Sequence, residues 1–115
     1  MIKGVRGATT VDLNTEEALK NATIELVEKI LKENNISKND ISHVIFTTTR
    51  DITCAFPAKF ARIDLGWDDV AMMCYNEMDV DGALKMCLRV LVVVNCNSDF
   101  VPKFVYLKGA QNLRK

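Results

Sequence analysis

The stretch that most constrains the fold is residues 84–94, an apolar run interrupted by Lys85 and Arg89. Its β-branched side chains favour a strand. Alternation along a strand puts five residues on one mixed face: Lys85, Cys87, Arg89, Leu91 and Val93. The other face is wholly apolar and predicts contact with a core. Because a charge is costly to bury without a partner, Arg89 predicts either an ion pair within the protein or a bound anion.

The rest of the chain predicts four more strands and two helices. Four stretches have the residue types of strands: residues 2–8, 41–49, 70–74 and 104–107. Apolar residues recur at helical spacing over residues 15–34, which predicts a long amphipathic helix capped by Asn14 or Thr15. Pro57 suits the first turn of a short helix that ends at Gly66. This order predicts a single α/β (α+β) domain over residues 1–115, with one mixed five-stranded sheet covered mainly by the long helix.

Charge and cysteine content narrow the class of protein. Fifteen Lys and Arg residues balance fifteen Asp and Glu residues, which argues against nucleic acid as a partner because phosphate binding usually needs a basic excess. The four cysteines form no CxxC pair and there is one histidine, so zinc-site spacing is absent. The first residues lack the apolar core of a signal peptide, and no apolar run could span a bilayer. We therefore expect a cytoplasmic protein with reduced cysteines and with no metal, cofactor or membrane partner.

Other cations leave two interpretations open. Arg6 lies in a strand that carries two glycines, so it either extends into solvent from a bulged edge strand or lies where a ligand or another backbone approaches. Lys59 and Arg62 are three residues apart and share one helix face, either as ordinary surface charge or as binding groups. The lone His43 indicates a structural residue, because no Ser or Cys partner can be identified for it.

The polar residues as a set indicate a binding site without acid–base or nucleophilic groups. No nucleophile–base pair and no phosphate-binding loop is visible in the sequence. The carboxylate of Glu77 accompanies five cations: Arg6, Lys59, Arg62, Arg89 and Arg114. Such a set suits a small dianionic ligand that also carries a hydroxyl group.

Several motifs resemble those of one enzyme family, the monofunctional chorismate mutases of the AroH type. The similarity covers nearly the whole chain in the same order: RGATT at 6–10, FPAK at 56–59 with Arg62, GW at 66–67, EMDV at 77–80, CLRV at 87–90, VYL at 105–107 and LR at 113–114. The resemblance implies a homotrimer of small pseudo-α/β-barrel subunits with active sites between neighbours. It also implies the rearrangement of chorismate to prephenate in phenylalanine and tyrosine synthesis.

The resemblance implies a role for each matched residue. Arg89 corresponds to the catalytic arginine that donates to the ether oxygen and a carboxylate of the substrate. Arg6 and Tyr106 correspond to the pair that holds the enolpyruvyl carboxylate, and Glu77 to the carboxylate that accepts from the ring hydroxyl. The other matched residues correspond to the wall and mouth of the cleft and to a tail that closes over it: Phe56, Ala58, Lys59, Arg62, Met73, Cys74, Leu113 and Arg114.

One substitution and two alternative functions qualify this interpretation. Met73 stands where the family member has a threonine, so the side-chain contact at that position differs here. A non-catalytic trimeric module that binds a small carboxylated metabolite would use the same cations. A small trimeric imine or enamine deaminase would also use interface clefts and arginines, but the EMDV and FPAK motifs argue against it.

Overall fold

One mixed sheet organises residues 1–113, the part of the chain that the computed structural model describes. Its strands are β1 (Ile2–Thr10), β2 (Ile41–Thr48), β3 (Ala71–Asn76), β4 (Cys87–Asn95) and β5 (Val105–Tyr106). They lie in the order β3-β2-β4-β1-β5. β4 pairs antiparallel with β1 and β2, whereas the β2–β3 and β1–β5 pairs are parallel. The predicted mixed five-stranded sheet is confirmed, and the strand that carries Arg89 lies at its centre.

Two helices accompany the sheet: α1 (Glu16–Glu33) and α2 (Pro57–Asp64). The side chain of Thr15 caps α1 by accepting a hydrogen bond from the backbone N–H of Ala18. Pro57 occupies the first turn of α2, where its missing N–H costs nothing. Short 3-10 turns lie at Lys38–Asp40 and Lys108–Ala110. Within the described residues, no helix combines the length and apolarity needed to cross a membrane.

The main core lies between α1 and one face of the sheet. α1 contributes Leu19, Leu26, Val27 and Ile30, all fully buried. Alternation along β4 delivers its apolar set to the same core: Leu88, Val90, Val92 and Val94. The apolar face predicted for this strand is therefore present.

Gly7 allows α1 and β5 to approach β1 closely. A Cβ atom at this position would lie 2.5 Å from Cδ1 of Ile30 and 3.1 Å from the carbonyl oxygen of Val105. A glycine in this strand predicts that a ligand or another backbone comes close to it. At Gly7 the close neighbours are α1 and the backbone of β5.

The start of β4 differs from the prediction. The strand begins at Cys87, three residues later than the apolar run, because Met86 adopts a left-handed conformation with φ of 49°. The Asp51 carboxylate accepts a hydrogen bond from the Met86 N–H at 3.0 Å, and the Met86 carbonyl accepts one from Val11. These contacts hold a turn at the entry to the strand, so Lys85 does not share the strand face of Arg89.

Candidate active site

One row of residues crosses all five strands of the sheet. In register, Tyr75 of β3 is opposite Thr47 of β2, and Thr47 is opposite Arg89 of β4. Arg89 is in turn opposite Ala8 of β1, which is opposite Tyr106 of β5. Residues opposite each other on neighbouring strands project to the same side of a sheet. The row therefore brings side chains from distant parts of the sequence to the face away from α1, which we call the open face.

A cavity of about 220 Å³ lies on the open face. Arg6, Arg89 and Tyr106 line it, from β1, β4 and β5 respectively. The rest of its wall is mostly apolar: Gly7, Ala8, Ile45, Thr47, Val90 and Leu91. The structure thus brings together three of the residues that the family resemblance indicated for substrate contact.

Two polar atoms in this cavity are buried without a hydrogen-bond partner among the described residues. They are Nε of Arg89 and the hydroxyl oxygen of Tyr106. An unsatisfied buried polar group costs about 1–3 kcal/mol, and buried polar atoms in native proteins are nearly always paired. Both residues line the cavity, so a ligand that binds there could supply the missing partners.

Glu77 joins this group from the segment that follows β3. Its backbone N–H donates to the carbonyl of Thr48 at 2.8 Å, and its Oε2 accepts from Oγ1 of Thr47 at 2.8 Å. The same Oε2 lies 3.3 Å from Nε of Arg89, with side-chain exposures of 27% and 32%. The pair is within ion-pair distance but is not aligned for a hydrogen bond, since Nε remains unpaired.

The open face carries three of the charged groups from which the sequence predicts a dianionic ligand with a hydroxyl: Arg6, Arg89 and Glu77. Arg6 is exposed and lies opposite Leu91, one row away from Arg89. Guanidinium groups can form bidentate pairs with carboxylates. The carboxylate of Glu77, which can only accept hydrogen bonds when ionised, lies beside Arg89.

A second group of predicted residues lies around α2. Phe56, Ala58, Lys59 and Arg62 line a separate concavity of about 310 Å³, which shares no lining residue with the first. Nζ of Lys59 forms an ion pair with Glu16 at 2.7 Å, so this cation already has a partner. Within residues 1–113 the predicted site residues therefore form two groups: the open-face group and the α2 group.

Cys74 and Met73 are adjacent on β3 but project to opposite sides. Cys74 packs against the main core, and burial raises the pKa of its thiol, partly offset by the backbone of Ala58. Its side chain therefore lies towards α2, away from Arg89. Met73 is 58% exposed, and Sδ of Met73 accepts a hydrogen bond from the Tyr75 hydroxyl at 3.3 Å.

The end of the chain adds a small apolar cluster beside Tyr106. Leu113 packs there against three buried residues: Ala8, Cys87 and Ala110. Burial raises the pKa of the Cys87 thiol, and the Arg89 guanidinium opposes the shift. The predicted tail residue Leu113 is thus close to the cavity, whereas Arg114 lies outside the described residues.

Sequence reasoning did not identify Thr47 as part of the site. It lines the cavity and donates to Glu77. Its position opposite Arg89 follows from the register between β2 and β4. The sequence does not reveal this register. Sliding one strand past the other by two residues keeps the same residues on the buried face, so several pairings bury a similar apolar surface.

Comparison with known proteins gives a consistent family. Residues 2–115 match the family model described as chorismate mutase type I. A relative from Bacillus subtilis (strain 168), "Chorismate mutase AroH", is 42% identical over 118 residues, which cover 99% of this chain and 91% of that protein. "Chorismate mutase AroH" from Thermus thermophilus is 43% identical over 117 residues, with coverage of 99% and 94%.

A solved structure agrees with the sequence relatives. The chorismate mutase from Clostridium thermocellum has a TM-score of 0.88 to this chain at 42% identity, covering 94% of this chain and 96% of that one. The match of the family model over nearly all residues, together with these relatives, shows that the chain belongs to the chorismate mutase type I family, whose members are isomerases.

Proposed function

We propose that the open-face cavity binds chorismate and rearranges it to prephenate, a step of phenylalanine and tyrosine synthesis, by fixed electrostatic groups alone. The observation that supports this most is the pair of buried, unpartnered atoms, Nε of Arg89 and the Tyr106 hydroxyl, on residues that line a mostly apolar cavity. A donor or hydroxyl that the protein leaves without a partner gains a hydrogen bond when a ligand supplies one, and groups fixed before binding stabilise developing charge most effectively.

The reaction fits a site without a nucleophile or a general base. In the rearrangement one ether C–O bond breaks as one C–C bond forms within the same molecule, so no proton is transferred and no covalent enzyme intermediate is needed. The protein must hold the reactive conformer and stabilise the charge that separates. Negative charge grows on the ether oxygen, where a fixed guanidinium stabilises the transition state more than the substrate.

Each open-face residue takes one role in this proposal. Arg89 donates to the ether oxygen and to a carboxylate. Arg6 and Tyr106 hold the enolpyruvyl carboxylate, and Glu77 accepts from the ring hydroxyl. Arg6, Arg89 and Tyr106 line one cavity, and Glu77 lies 3.3 Å from Arg89. These positions support the roles, because a small ligand bound there would be close to all four residues.

The main test replaces Arg89 by glutamine and follows the ultraviolet absorbance of chorismate. We expect turnover to fall about 100-fold to 1,000-fold, the range for loss of one donor to a developing oxyanion. The matched control is Arg50→Gln, because Arg50 lies on the surface and, among residues 1–113, forms an ion pair only with the exposed Asp79 at 3.5 Å. Near-normal turnover in Arg89→Gln would show that the assigned role is wrong.

The active site is proposed to be completed by a neighbouring subunit in a homotrimer. Two observations support this: the α2 group forms its own concavity, and the open face presents apolar side chains such as Met73 and Tyr75, which are 58% and 48% exposed. In this arrangement the α2 group of one subunit faces the open face of the next. Leu113 and Arg114 would close over the ligand between them.

Mixing two inactive variants tests the shared site. Arg89→Gln disables the open face and Arg62→Ala disables the α2 group, so each alone should be impaired. Random trimers formed by refolding a 1:1 mixture should regain about a quarter of the wild-type sites, because each restored site takes one intact part from each variant. Sedimentation gives the subunit number. Failure to regain activity in mixed trimers would place both groups in one subunit.

A cytoplasmic location is also proposed. The four cysteines are all free in the described chain, and disulfides are rare in cytosolic proteins. Fractionation of the source cells with a periplasmic or secreted marker protein would test it.

A further inference from the structure

Thr47 contacts the carboxylate of Glu77, which lies close enough to Arg89 to pair with it in place of a ligand. Its Oγ1 donates to Oε2 of Glu77 at 2.8 Å, and this oxygen is the one that lies 3.3 Å from Nε of Arg89. A single carboxylate oxygen therefore faces a hydroxyl donor and a guanidinium at the same time. The hydroxyl has the aligned hydrogen bond and the guanidinium does not.

The alternative arrangement of these groups is a direct hydrogen-bonded ion pair. A guanidinium and a carboxylate in partial burial normally align to give N–H···O distances of about 2.7–2.9 Å, often with two parallel bonds. Such a pair would satisfy Nε of Arg89 from within the protein. The donors of the arginine would then no longer be available to a ligand without breaking a charge-assisted bond.

The backbone around Glu77 restricts but does not fix its carboxylate. The N–H of Glu77 donates to the Thr48 carbonyl at 2.8 Å, which places the start of the side chain beside β2. The side chain has further rotatable bonds beyond that point. Two groups contact its far end: Arg89 approaches Oε2 at 3.3 Å without a hydrogen bond from Nε, and the Thr47 hydroxyl makes the one hydrogen bond to Oε2 found among the described residues.

We infer that Thr47 is a positioning residue of the active site: its hydroxyl holds Glu77 in an orientation that leaves Nε of Arg89 without a hydrogen bond inside the protein, so that the guanidinium is not committed to Glu77 when the substrate binds. This inference rests on the proposed roles of Arg89 and Glu77. It assigns to β2 a part in the reaction, and it explains how an arginine and a glutamate can lie 3.3 Å apart without forming a hydrogen bond.

The first experiment compares three substitutions on β2 by kcat and KM for chorismate. Thr47→Val keeps the shape and removes the hydroxyl, and we expect kcat/KM to fall about tenfold to 100-fold, mainly through kcat, as for loss of a hydrogen bond to a charged group. Thr47→Ser keeps the hydroxyl and should stay within about threefold of the wild type. Thr48→Val makes the same change on the opposite face of β2, keeps the backbone carbonyl, and should have little effect.

A double-substitution cycle separates positioning from a general effect on the strand. If Thr47 acts through the Glu77 carboxylate, then Thr47→Val should change kcat/KM by less than about twofold in a Glu77→Ala background. A purely structural role for Thr47 predicts the same fold loss in both backgrounds. Calorimetry of prephenate binding to wild type, Thr47→Val, Glu77→Ala and the double variant measures the coupling between the two residues independently of turnover.

The outcomes distinguish this inference from the function on which it rests. If Arg89→Gln and Glu77→Ala lose turnover while Thr47→Val behaves like Thr48→Val, the positioning role is wrong and the proposed site stands. Equal losses for Thr47→Val with and without Glu77 would also overturn the positioning role. If Arg89→Gln and Glu77→Ala retain turnover, the proposed site itself is wrong, and the role of Thr47 fails with it.

Discussion

The two faces of the sheet are made from the same strands but differ in what covers them. On the side of α1, Leu88 and Val92 of β4 are fully buried in a continuous apolar core. On the open face, Arg89 and Leu91 of the same strand are only partly buried, and polar atoms of Arg89 and Tyr106 lack partners among residues 1–113. One strand therefore contributes stability with one set of alternate residues and binding groups with the other.

This difference indicates where stability and activity can be changed separately. Core side chains on the α1 side stabilise the folded state by about 25 cal/mol for each Å² of apolar surface removed from water. The open-face groups carry desolvation costs that a ligand would offset. Substitutions on one face should therefore affect mainly unfolding, and substitutions on the other should affect mainly turnover.

The largest effect on stability is expected from the covered face. Leu26→Ala removes a fully buried side chain of α1 and should lower the free energy of unfolding by about 2–5 kcal/mol, through lost transfer energy and the cavity left behind. Urea unfolding at fixed protein concentration measures the change. The turnover of the folded protein should stay within about twofold of wild type. A large loss of turnover in fully folded protein would contradict the separation of the faces.

A smaller and opposite effect is expected on the open face. Tyr106→Phe removes the unpartnered hydroxyl and keeps the ring, so turnover should fall about tenfold while the free energy of unfolding stays equal or rises by up to about 1 kcal/mol. Parallel kinetic and urea measurements test both parts. Tyr75→Phe is a control for loss of a tyrosine hydroxyl, because Tyr75 lies at the other end of the row that crosses the sheet to Tyr106. A marked loss of stability in Tyr106→Phe would mean that its hydroxyl has a partner in the folded protein.

The smallest effect concerns pH and the turn before β4. The Thr49 hydroxyl holds the pKa of Asp51 below its usual value, with the Met86 N–H acting in the same direction. A depressed pKa in the folded state gives stability that is present above the unfolded value near 3.9 and is lost as pH falls through the folded value. Between pH 6 and about pH 3, wild type should therefore lose more stability than Asp51→Asn.

Urea midpoints at both pH values measure this difference, with Asp99→Asn on a surface turn as the control. Equal pH dependence in wild type and Asp51→Asn would show that the turn contacts do not persist in solution. Because Asp51 is exposed, its effect should be small beside that of Leu26→Ala.

Periodicity predicted the parts of this fold that depend on neighbours along the chain. The long helix, its Thr15 cap and the two faces of β4 follow from local patterns and are confirmed. The start of β4 does not follow from local patterns, because Met86 is held in its left-handed conformation by Asp51, which lies far from it in sequence. Contacts of this kind are set by tertiary structure.

The candidate site was accessible to the sequence only in part. Local reasoning identified Arg89 as a cation that needs a partner and grouped it with Arg6 and Glu77. Family resemblance added Tyr106 and gave each of these residues a role. The structure brings these residues together. Thr47 could not be identified, because its contact with Glu77 depends on the register between β2 and β4. The residue roles remain predictions for the experiments above.

The central position of β4 has a consequence for how the protein folds. β1 and β2 are not neighbours in the sheet, since each pairs with β4, and Ile2 lies opposite Asn95. β1 leaves the ribosome well before β4, so it must wait for that strand before it gains its main pairing. Proteins dominated by such distant contacts fold slowly because a long loop must close first. During synthesis, α1 can form early, but the sheet that carries Arg89 can assemble only when most of the chain is complete.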